Sequence, residues 1–436
     1  MRTVAMIGPD FPPCCRPSAL RVRSFASHLA EYGWRPIVLT TQAHHYREAV
    51  LDLEVEKLLP ASLEIVRTGA IPAGLARRLG FGDMGLRSFW HHWRALASLC
   101  KAGRVDLTFI SVPPSVPMLL GRLAWERFGV PYVIDYQDPW RTEVYWRRSP
   151  DQRPPKWASA YWLARMLEPV AVKRAAHLVA VSDATHRDVL AHYPDLGRLG
   201  ATEIPFGAEP ADFDYLRANP RPNPIFDRND GRLHLSYAGA FIPPMEGALR
   251  ALFSAVATGL RRQPALFGRL CLHFAGTNYA SAASGPGPVT RIAYQMGLAS
   301  VVHEDAARIP YLDSLRVLMD SHALLLLGSN EPHYSPSKAF AYLAARRPVL
   351  ALCFEQSNVV PLLRQAGHAE LVTFSASGTG SGAEISPDAV SAALSITLAN
   401  AESPAQPAGL QGWTASDMAE KLAGVFNSVC AEGRVQ

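Results

Sequence analysis

The chain has 436 residues, of which 48% are hydrophobic and 19% are charged, with a formal net charge of +5. The apolar fraction is that of a globular protein, so extensive disorder is excluded, and the length predicts two or three domains. No apolar run approaches the roughly 18 residues that a membrane-spanning helix needs, and the first residues reach a polar turn too soon for a signal peptide. We therefore expect a soluble, cytoplasmic protein.

The charge is distributed unevenly along the chain. Residues 1–200 carry 26 Lys and Arg against 18 Asp and Glu, whereas residues 201–436 carry 17 against 20. A basic half and a slightly acidic half indicate two domains with different partners. The basic half favours anions such as phosphates or membrane headgroups, or it is simply a solvated arginine-rich surface. It contains no basic run dense enough to indicate nucleic acid.

Several sequence signals of specific chemistry are absent. The six cysteines are scattered and form no Cys-x-x-Cys pair, so the sequence predicts neither a zinc site nor a disulfide framework. No G-x-G-x-x-G follows the first predicted strand, which argues against a dinucleotide-dependent dehydrogenase. Neither G-x-x-x-x-G-K-[ST] nor H-E-x-x-H occurs in the chain.

Short apolar runs alternate with amphipathic stretches along both halves of the chain. In the first half, buried strands are predicted at Thr3–Gly8, Arg35–Thr41, Val105–Ser111, Pro131–Gln137, His177–Ser182 and Thr202–Gly207. In the second half, they are predicted at Leu233–Gly239, Cys271–Gly276, His322–Gly328, Pro348–Phe354 and Glu370–Ser375. The stretches between them predict helices, including Ser18–Tyr32, Trp157–Ala176 and Thr414–Val429. The Gly/Ser-rich run Ser377–Ser386 predicts a mobile loop.

These two arrays predict an α/β protein with two Rossmann-like doubly wound domains that face a central cleft. The stretch Arg217–Arg232 contains three prolines and separates the arrays. We place the N-terminal domain at residues 1–215, the C-terminal domain at 216–412, and a final helix at 413–436 that could cross back to the N-terminal domain. Ligands bind beyond the carboxyl ends of the strands in such sheets, so we expect the site in the cleft.

The segment Tyr334–Leu350 carries the clearest chemical signal. Ser335, Pro336 and Ser337 suit the start of a helix, and Lys338 follows within the first turn. A lysine in that position opposes the helix dipole unless an anion is present. Backbone N–H groups, a hydroxyl and an ammonium would together hold a phosphate. The alternative is a surface helix that happens to carry a lysine.

Polar residues lie at the end of the predicted strand Pro131–Gln137. Asp138 lies at a strand end, where its carboxylate could orient a hydroxyl or accept a proton. Gln137 beside it could face a donor sugar, and Trp140 could stack on a sugar ring. Alternatively, Asp138 caps a turn and Trp140 lies in the core.

The loop Pro9–Arg21 leads from the first strand into the first helix and would face the cleft. Arg16, Ser18 and Arg21 could there meet a pyrophosphate or an anionic acceptor. The alternative for Arg21 is one more surface charge.

The segment Leu86–Gly103 predicts a helix with an apolar stripe at helical spacing. Its members are Leu86, Phe89, Trp90, Trp93, Ala97 and Cys100. Basic residues flank this stripe, so the helix could lie on an anionic membrane surface, or it is an ordinary helix packed on its sheet. The adjacent His91 and His92 point to different sides of a helix and make a poor metal pair.

Six segments, taken in order along the chain, carry a family resemblance. They are residues 8–41, VPYVIDYQDPW (130–140), LVAVS (178–182), EIPFGAEPADF (203–213), SYAGAF (236–241) and SKAFAYLAARRPVLAL (337–352). The ordered set resembles GT-B glycosyltransferases, in particular family-4-like enzymes of bacterial surface polysaccharide synthesis.

The resemblance implies a nucleotide-sugar donor in the C-terminal domain and an acceptor on the N-terminal domain. It also implies a reaction that usually retains anomeric configuration and needs no bound metal. Gly276 and Asn278 lie at a strand end of the C-terminal domain, and Tyr311 lies in a turn that looks like the family's base-binding turn. We place all three at the donor.

Two features of the family are missing here. Many members carry two glutamates around the lysine helix, and alignment places Ala341 and His333 at those positions. Glu331, two residues earlier, could substitute only through a different loop path. Many members also carry an Arg and a Lys after the opening strand of the second domain, where this chain has no basic residue before Arg250. Arg250 is a candidate replacement, and Lys338 would carry more of the phosphate binding.

We therefore predict a glycosyltransferase that moves a sugar from a nucleotide diphosphate to a lipid-linked or saccharide acceptor in polysaccharide biosynthesis. Lys338 and Asp138 are its predicted catalytic residues. The missing residues keep two alternatives open, a catalytically silent GT-B-like binding protein and a nucleotide-sugar epimerase. We expect no cofactor, no metal and no nucleic-acid partner, with a weak contact to the inner face of an anionic membrane.

Overall fold

The structure is a computed structural model that describes residues 1–46, 50–78, 81–147, 153, 156–197, 199–278, 286–331, 334–367, 369–376, 383–402 and 409–432. His333 and residues 377–382 of the predicted mobile loop lie outside the described residues. The chain divides into two compact units. Unit 1 comprises Met1–Arg47, Leu59–Phe206 and Ala415–Gln436, and unit 2 comprises Glu48–Leu58 and Gly207–Thr414.

Each unit contains one main sheet. The strands of unit 1 are β1 (Arg2–Ile7), β2 (Trp34–Thr41), β3 (Glu64–Thr68), β4 (Leu107–Val112), β5 (Tyr132–Tyr136), β6 (His177–Ala180) and β7 (Gly200–Glu203). Those of unit 2 are β8 (Leu233–Ala238), β9 (Leu270–Ala275), β10 (Val302–Asp305), β11 (Ala323–Leu327), β12 (Val349–Phe354), β13 (Ala369–Ala376) and β14 (Ala383–Glu384).

The two sheets have the same topology. Their orders are β3-β2-β1-β4-β5-β6-β7 and β10-β9-β8-β11-β12-β13-β14. The described pairs are parallel except for β13 with β14. The strand order reverses between β1 and β4 and between β8 and β11, which are the points where doubly wound sheets bind ligands. The predicted α/β class with two Rossmann-like doubly wound domains is confirmed.

Helices cover the sheets. In chain order they are α1 (Pro17–His28), α2 (Ala73–Arg78), α3 (Met84–Lys101), α4 (Met118–Phe128), α5 (Val144–Arg147), α6 (Trp157–Val172), α7 (Asp183–Leu190), α8 (Pro210–Ala218), α9 (Glu246–Arg262), α10 (Pro264–Phe267), α11 (Pro288–Gln295), α12 (Tyr311–Asp320), α13 (Lys338–Ala344), α14 (Val360–Ala366), α15 (Pro387–Ala399) and α16 (Ala415–Glu432). Helix α6 continues through Pro169.

Strand β1 shows how the sequence builds two cores from one sheet. Its alternate residues Val4 and Met6 join a buried cluster that includes residues of α1 and α16. Ala5 and Ile7 join the cluster on the other face, with residues of α3 and α4. Because successive side chains of a strand point to opposite faces, a continuous apolar run is what a sheet covered on both sides requires.

The final helix belongs to unit 1. The Phe426 ring of α16 lies 5.2 Å from the Trp34 ring and 5.6 Å from the Phe109 ring, and all three side chains are buried. The Trp34 indole N–H also donates to Asn427 Oδ1 at 3.1 Å. The apolar face of α16 therefore completes one of the two cores of this unit.

The units differ from the predicted domains in two places, besides a shift of two residues at the boundary before α16. The division lies between Phe206 and Gly207 rather than after residue 215, and the segment Glu48–Leu58 belongs to unit 2. Asp52 in this segment accepts the Leu312 N–H at 2.9 Å, at the start of α12. A carboxylate there satisfies a helix-terminal N–H group, a contact whose 260-residue separation hides it from the sequence.

Candidate functional site

Lys338 is the first residue of α13, as the helix-start pattern predicts. Its Nζ donates to Tyr237 Oη at 2.5 Å and to Ala240 O at 3.4 Å, and it lies 3.8 Å from the Tyr237 ring centroid. Tyr342, one turn later, accepts the Ala238 N–H at 2.7 Å and donates to Ala238 O at 3.2 Å. Helix α13 is therefore fixed on the carboxyl end of β8, at the point where the strand order of unit 2 reverses.

Gly239 makes the approach of the lysine possible. Its φ is +131°, a backbone conformation that other residues rarely adopt. A Cβ at this position would lie 3.0 Å from Lys338 Nζ. The chain therefore needs glycine at the end of β8 both for its backbone and for the space that the ammonium occupies.

The surroundings of Lys338 disfavour its charged form. Burial, with the positive charge of Arg308 as a second cause, lowers the pKa of Lys338 to about 7. An anion placed beside these two cations would restore the charge of the amine. The arrangement can therefore bind a phosphate group and take up a proton as it does so.

Two partners of Lys338 were not predicted from the sequence. In the sequence Tyr237 fits the apolar pattern of β8, and only its hydroxyl indicates that it could bind Lys338. Arg308 is a single basic residue shortly after β10, directly before the Ile309-Pro310-Tyr311 segment that holds the predicted base-binding turn. The sequence signal for Arg308 was its position as a lone arginine after a strand, beside the predicted base-binding turn.

The residues before α13 have their own partners. Ser335 Oγ donates to Asn358 Oδ1 at 3.0 Å. Ser337 is the N-cap of α13, and its side chain makes no capping hydrogen bond. Glu331 lies in the loop after β11, where its N–H donates to Ser329 Oγ at 3.1 Å and its carbonyl accepts the Tyr334 N–H at 3.0 Å.

The other predicted donor residues lie at the strand ends beside β8. The Gly276 N–H donates to Asp305 O at 2.8 Å, and the Asn278 N–H donates to Ala306 O at 3.0 Å. Both backbone donors are therefore used within the sheet rather than left for a ligand. Tyr311 begins α12, and its hydroxyl donates to Asp212 Oδ2 at 2.7 Å.

Arg250 does not replace the missing clamp residues in the way we expected. It lies on α9, where its Nε donates to Glu246 Oε1 at 2.7 Å and its Nη2 donates to Gln295 Oε1 at 3.0 Å. Because a carboxylate already pairs with this guanidinium, the structure favours Arg308 over Arg250 as the second cation of the lysine site.

Asp138 lies just beyond the carboxyl end of β5 and is exposed. Gln137 is buried, and its Nε2 donates to Ser111 Oγ at 3.1 Å, so its amide is turned towards β4 rather than towards a sugar. Trp140 is half-buried and packs against a core cluster of unit 1, which fits the core alternative. Asp138 is therefore the accessible member of this predicted group.

Arg21 has a structural role that the sequence did not reveal. Its Nε and Nη2 donate to the two carboxylate oxygens of Asp135 at 2.8 and 2.7 Å, and Nη2 and Nη1 also donate to the carbonyls of Ile204 and Pro205. The side chains of Arg21 and Asp135 are 1% and 0% exposed. The prediction that Arg21 contacts a pyrophosphate or an acceptor is therefore not supported, because a buried bidentate ion pair already engages its guanidinium.

Arg16 and Ser18 meet at a buried carboxyl group. Arg16 Nη1 lies 3.3 Å from Asp10 Oδ2, and Ser18 Oγ donates to the same oxygen at 3.4 Å. Burial raises the pKa of Asp10, and Arg16 and Ser18 oppose that rise. The loop after β1 thus brings a carboxyl group, a guanidinium and a hydroxyl together. Asp10 was missed in the sequence, although a lone acidic residue in the apolar run GPDFPP was a signal.

The apolar stripe of α3 is mostly core. Leu96 and Cys100 are buried, and Phe89 and Trp93 pack against the same cluster, whereas Trp90 is 61% exposed. Arg87 on this helix is buried and donates from Nε to Ile71 O at 2.8 Å. The structure therefore supports the packed-helix alternative over a membrane-facing α3. Among the described residues, no helix is both long and apolar enough to cross a membrane.

A different helix of unit 1 exposes an apolar stripe. Trp162, Met166 and Val170 of α6 follow one another at four-residue spacing and are 51%, 63% and 46% exposed. The Arg165 guanidinium lies 5.1 Å from the Trp162 ring centroid. The stripe thus combines exposed apolar side chains with a neighbouring positive charge.

Comparisons with known proteins agree with the geometry. Residues 18–199 match the model of the glycosyl transferase 4-like domain. No curated protein sequence matches the chain.

Among solved structures, the chain is similar to a glycosyltransferase from Rickettsia africae (11% identity, TM-score 0.53, covering 100% of this chain and 97% of that one). It is similar to α,α-trehalose 6-phosphate synthase from Burkholderia multivorans (14% identity, TM-score 0.55, covering 100% of this chain and 98% of that one). It is also similar to HepE from Anabaena in complex with UDP (13% identity, TM-score 0.52, covering 99% of this chain and 98% of that one). At these identities the likeness concerns the fold. The predicted resemblance is confirmed at this level: residues 18–199 match a glycosyl transferase 4-like domain, and the chain has the GT-B fold.

Proposed function

We propose that this chain transfers a sugar from a nucleoside diphosphate donor to a lipid-linked or saccharide acceptor in polysaccharide biosynthesis, with retention of configuration and without a metal. The observation that carries the proposal is the Lys338 site at the strand-order reversal of unit 2. A diphosphate needs positive charge at such a place, and the site offers the ammonium of Lys338 and the charge of Arg308. HepE, a protein with a similar fold, is in complex with UDP.

Lys338 would act on the leaving group. As the bond between the sugar and the diphosphate breaks, negative charge develops on the diphosphate. The ammonium, held in place by Tyr237, would stabilise that charge without having to reorganise. Ser335 and Ser337, which lie within the three residues before Lys338, are proposed donor contacts, together with Glu331, Tyr311 and the side chain of Asn278. The predicted contact through the Gly276 N–H is not proposed again, because this N–H donates to Asp305 O.

Asp138 is our candidate for contact with the acceptor or the donor sugar. It is exposed beyond β5, so it can hydrogen-bond a hydroxyl without leaving its loop. We expect Asp138→Asn to lower kcat by at least tenfold while changing the Kd for nucleotide less than twofold. Asp188→Asn, an exposed acid on α7, is the matched control. A variant with unchanged kcat and a lowered Tm would instead assign Asp138 to capping its turn.

We further propose that the protein works at the inner face of a membrane, with contact through α6 rather than α3. Support comes from the exposed Trp162–Met166–Val170 stripe and from the basic Arg165 beside it, since aromatic and basic side chains together suit an anionic interface. Co-sedimentation with vesicles of phosphatidylcholine and phosphatidylglycerol tests this contact.

We expect salt-sensitive binding to these vesicles that Trp162→Ser/Met166→Ser reduces at least fivefold. Trp90→Ser on α3 is the matched control and should leave binding unchanged. Equal recovery of the double variant and the wild type, or no recovery on anionic vesicles at low salt, would overturn the α6 contact.

A donor panel tests the proposed reaction. The full chain is incubated with UDP-, GDP- and ADP-sugars, and released nucleoside diphosphate and the sugar configuration are followed by NMR. A transferase releases nucleoside diphosphate, with water as a slow acceptor, and the first anomer formed has the configuration of the donor. A change in the sugar without release of nucleotide would indicate the epimerase. Binding with no reaction, also after addition of lipid extract, would indicate the silent binding protein.

A further inference from the structure

A polar stripe lies on one face of the unit 2 sheet. His234 is on β8, Cys271 and His273 are on β9, and His303 is on β10. The register pairs His234 with Cys271 and His303 with His273, so these side chains share a face. His234, Cys271 and His273 are buried. Burying a polar group on a sheet face costs free energy unless the group has a hydrogen-bond partner or a bound ligand.

The hydrogen bonds fix the proton positions on two of these histidines. Asp230 Oδ1 lies 3.0 Å from His234 Nε2, and a carboxylate can only accept, so His234 carries its proton on Nε2. In its neutral form each of these rings carries one proton, on one of its two nitrogens. His234 Nδ1 therefore accepts from His273 Nε2, which lies 2.9 Å away.

This chain of hydrogen bonds leaves one nitrogen unsatisfied. His273 Nδ1 is buried and has no hydrogen-bond partner among the residues that the structure describes. A buried nitrogen lone pair without a partner costs free energy that a hydrogen-bonded histidine pair alone does not recover. A metal bound through His273 Nε2 would not supply a partner for Nδ1, so the case for a metal rests on the arrangement of the ligand atoms.

The geometry suits a metal ion. One ligand atom each from His234, Cys271 and His273 lie within 4.8 Å of one another. The Asp230 carboxylate accepts a hydrogen bond from His234. Such an outer-shell partner orients a metal-bound histidine and makes it a stronger ligand. Burial raises the pKa of the Cys271 thiol, and the Arg232 guanidinium, whose Nη1 lies 3.9 Å from Cys271 Sγ, partly opposes that rise.

We propose that His234 Nδ1, Cys271 Sγ and His273 Nε2 bind one divalent transition-metal ion of the Zn²⁺ type. Two imidazoles and a thiolate are ligands that Zn²⁺ prefers, and a water completes the tetrahedron. On binding, the proton of His273 Nε2 moves to its Nδ1, and the thiol proton of Cys271 leaves to solvent. One proton is therefore released per metal ion.

The ion has a structural role. His234 precedes Gly239 by five strand residues, which corresponds to about 16 Å along an extended chain. The metal site therefore lies towards the opposite end of the sheet from Lys338, and transfer itself stays free of metal. The sequence analysis predicted no zinc site because its ligands come from two strands and not from one short motif.

Spectroscopy of the cobalt form tests the proposal. The full chain is stripped with EDTA and titrated with Co²⁺ and then with Zn²⁺. We expect one equivalent of Co²⁺, with visible bands of tetrahedral cobalt and a near-ultraviolet thiolate charge-transfer band that Zn²⁺ abolishes. Calorimetry in two buffers should show the release of about one proton per ion, as loss of the thiol proton requires.

Variants assign the ligands. Cys271→Ser should remove the thiolate band and weaken Zn²⁺ binding at least about 100-fold, because a direct ligand matters at least as much as an outer-shell partner. Asp230→Asn, at a partly exposed residue that the fold tolerates, should weaken binding about 10- to 100-fold. Cys353→Ser, at a buried cysteine of β12, is the matched control. Absence of the band in the wild type, or a band that persists in Cys271→Ser, would leave a hydrogen-bonded histidine chain and overturn the metal site.

Discussion

Lys338 Nζ lies 2.5 Å from Tyr237 Oη and 3.8 Å from the centre of the same ring. One tyrosine thus both accepts a hydrogen bond from the ammonium and places a π face beneath it. The contact joins α13 to β8, which are 101 residues apart in sequence. Residues at the reversal of strand order therefore hold the Lys338 ammonium at the place where a doubly wound sheet binds ligands.

Removal of the Tyr237 hydroxyl should weaken nucleotide binding. Tyr237→Phe keeps the ring beneath Lys338 but loses the hydrogen bond that positions the amine, a loss of about 1 kcal/mol. We expect the Kd for UDP to rise about fivefold, measured by calorimetry. Tyr294→Phe, at an exposed tyrosine of α11, is the control. An unchanged Kd in Tyr237→Phe would show that the hydroxyl does not position the amine.

Nucleotide affinity should depend on pH through Lys338. The amine is half-protonated at about pH 7 in the free protein, and a bound diphosphate raises its pKa, so binding takes up a proton above that pH. The association constant for UDP should therefore fall by up to about tenfold per pH unit between pH 7.5 and 8.5. The terminal phosphate, with a second pKa of about 6, is already ionised in this range. A Lys338→Met variant should show no such slope, and an equal slope in both proteins would assign it to another group.

The Arg21–Asp135 pair should matter for stability rather than for ligand binding. Arg21→Met leaves a buried, unpaired carboxylate and should lower the free energy of unfolding by about 3–5 kcal/mol. Adding Asp135→Leu removes that charge, so the double variant should be more stable than the Arg21→Met variant. Arg35→Met breaks an exposed pair with Glu64 and should cost less than about 1 kcal/mol. A double variant no more stable than Arg21→Met would contradict this account.

Glu168 should make the fold less stable as the pH rises. It is fully buried between the hydroxyls of Tyr136 and Tyr193, and burial raises its pKa to about 7. The folded state then binds more protons than the unfolded state, so stability falls from about pH 4.5 to pH 7, by about 3 kcal/mol in total. Glu168→Gln should remove this fall, so that the variant matches the wild type at pH 5 and exceeds it at pH 8. Urea unfolding at both pH values checks this, with the exposed Glu126→Gln as control.

The interior of the fold was predictable because its strands are apolar and continuous. The edge strands β3 and β10 were missed, since EIVRT and VHED are short, partly exposed and polar, as strands at a sheet edge can be. The segment Glu48–Leu58 was assigned to the wrong half, because its partners in α8 and α12 are remote in sequence.

The same distinction applies to the candidate site. Lys338 could be predicted, because a lysine in the first turn of a helix conflicts with the helix dipole. Arg21 looked equally suitable as an anion contact, but its partner Asp135 lies on β5, and no local pattern separates a buried arginine from an exposed one. Tyr237 and Arg308 were missed for a related reason, since their importance comes from a neighbour on another element.

The central claim is that Lys338 binds the diphosphate of the donor, and calorimetric titration with UDP, GDP and ADP at pH 7.0 tests it most directly. We expect the wild type to bind at least one of the three, and Lys338→Met to bind it at least tenfold more weakly while its Tm changes by less than about 2 °C. Lys101→Met, at an exposed lysine of α3, should bind like the wild type. Equal affinity of Lys338→Met and the wild type, or no binding of any of the three by the wild type, would contradict the account.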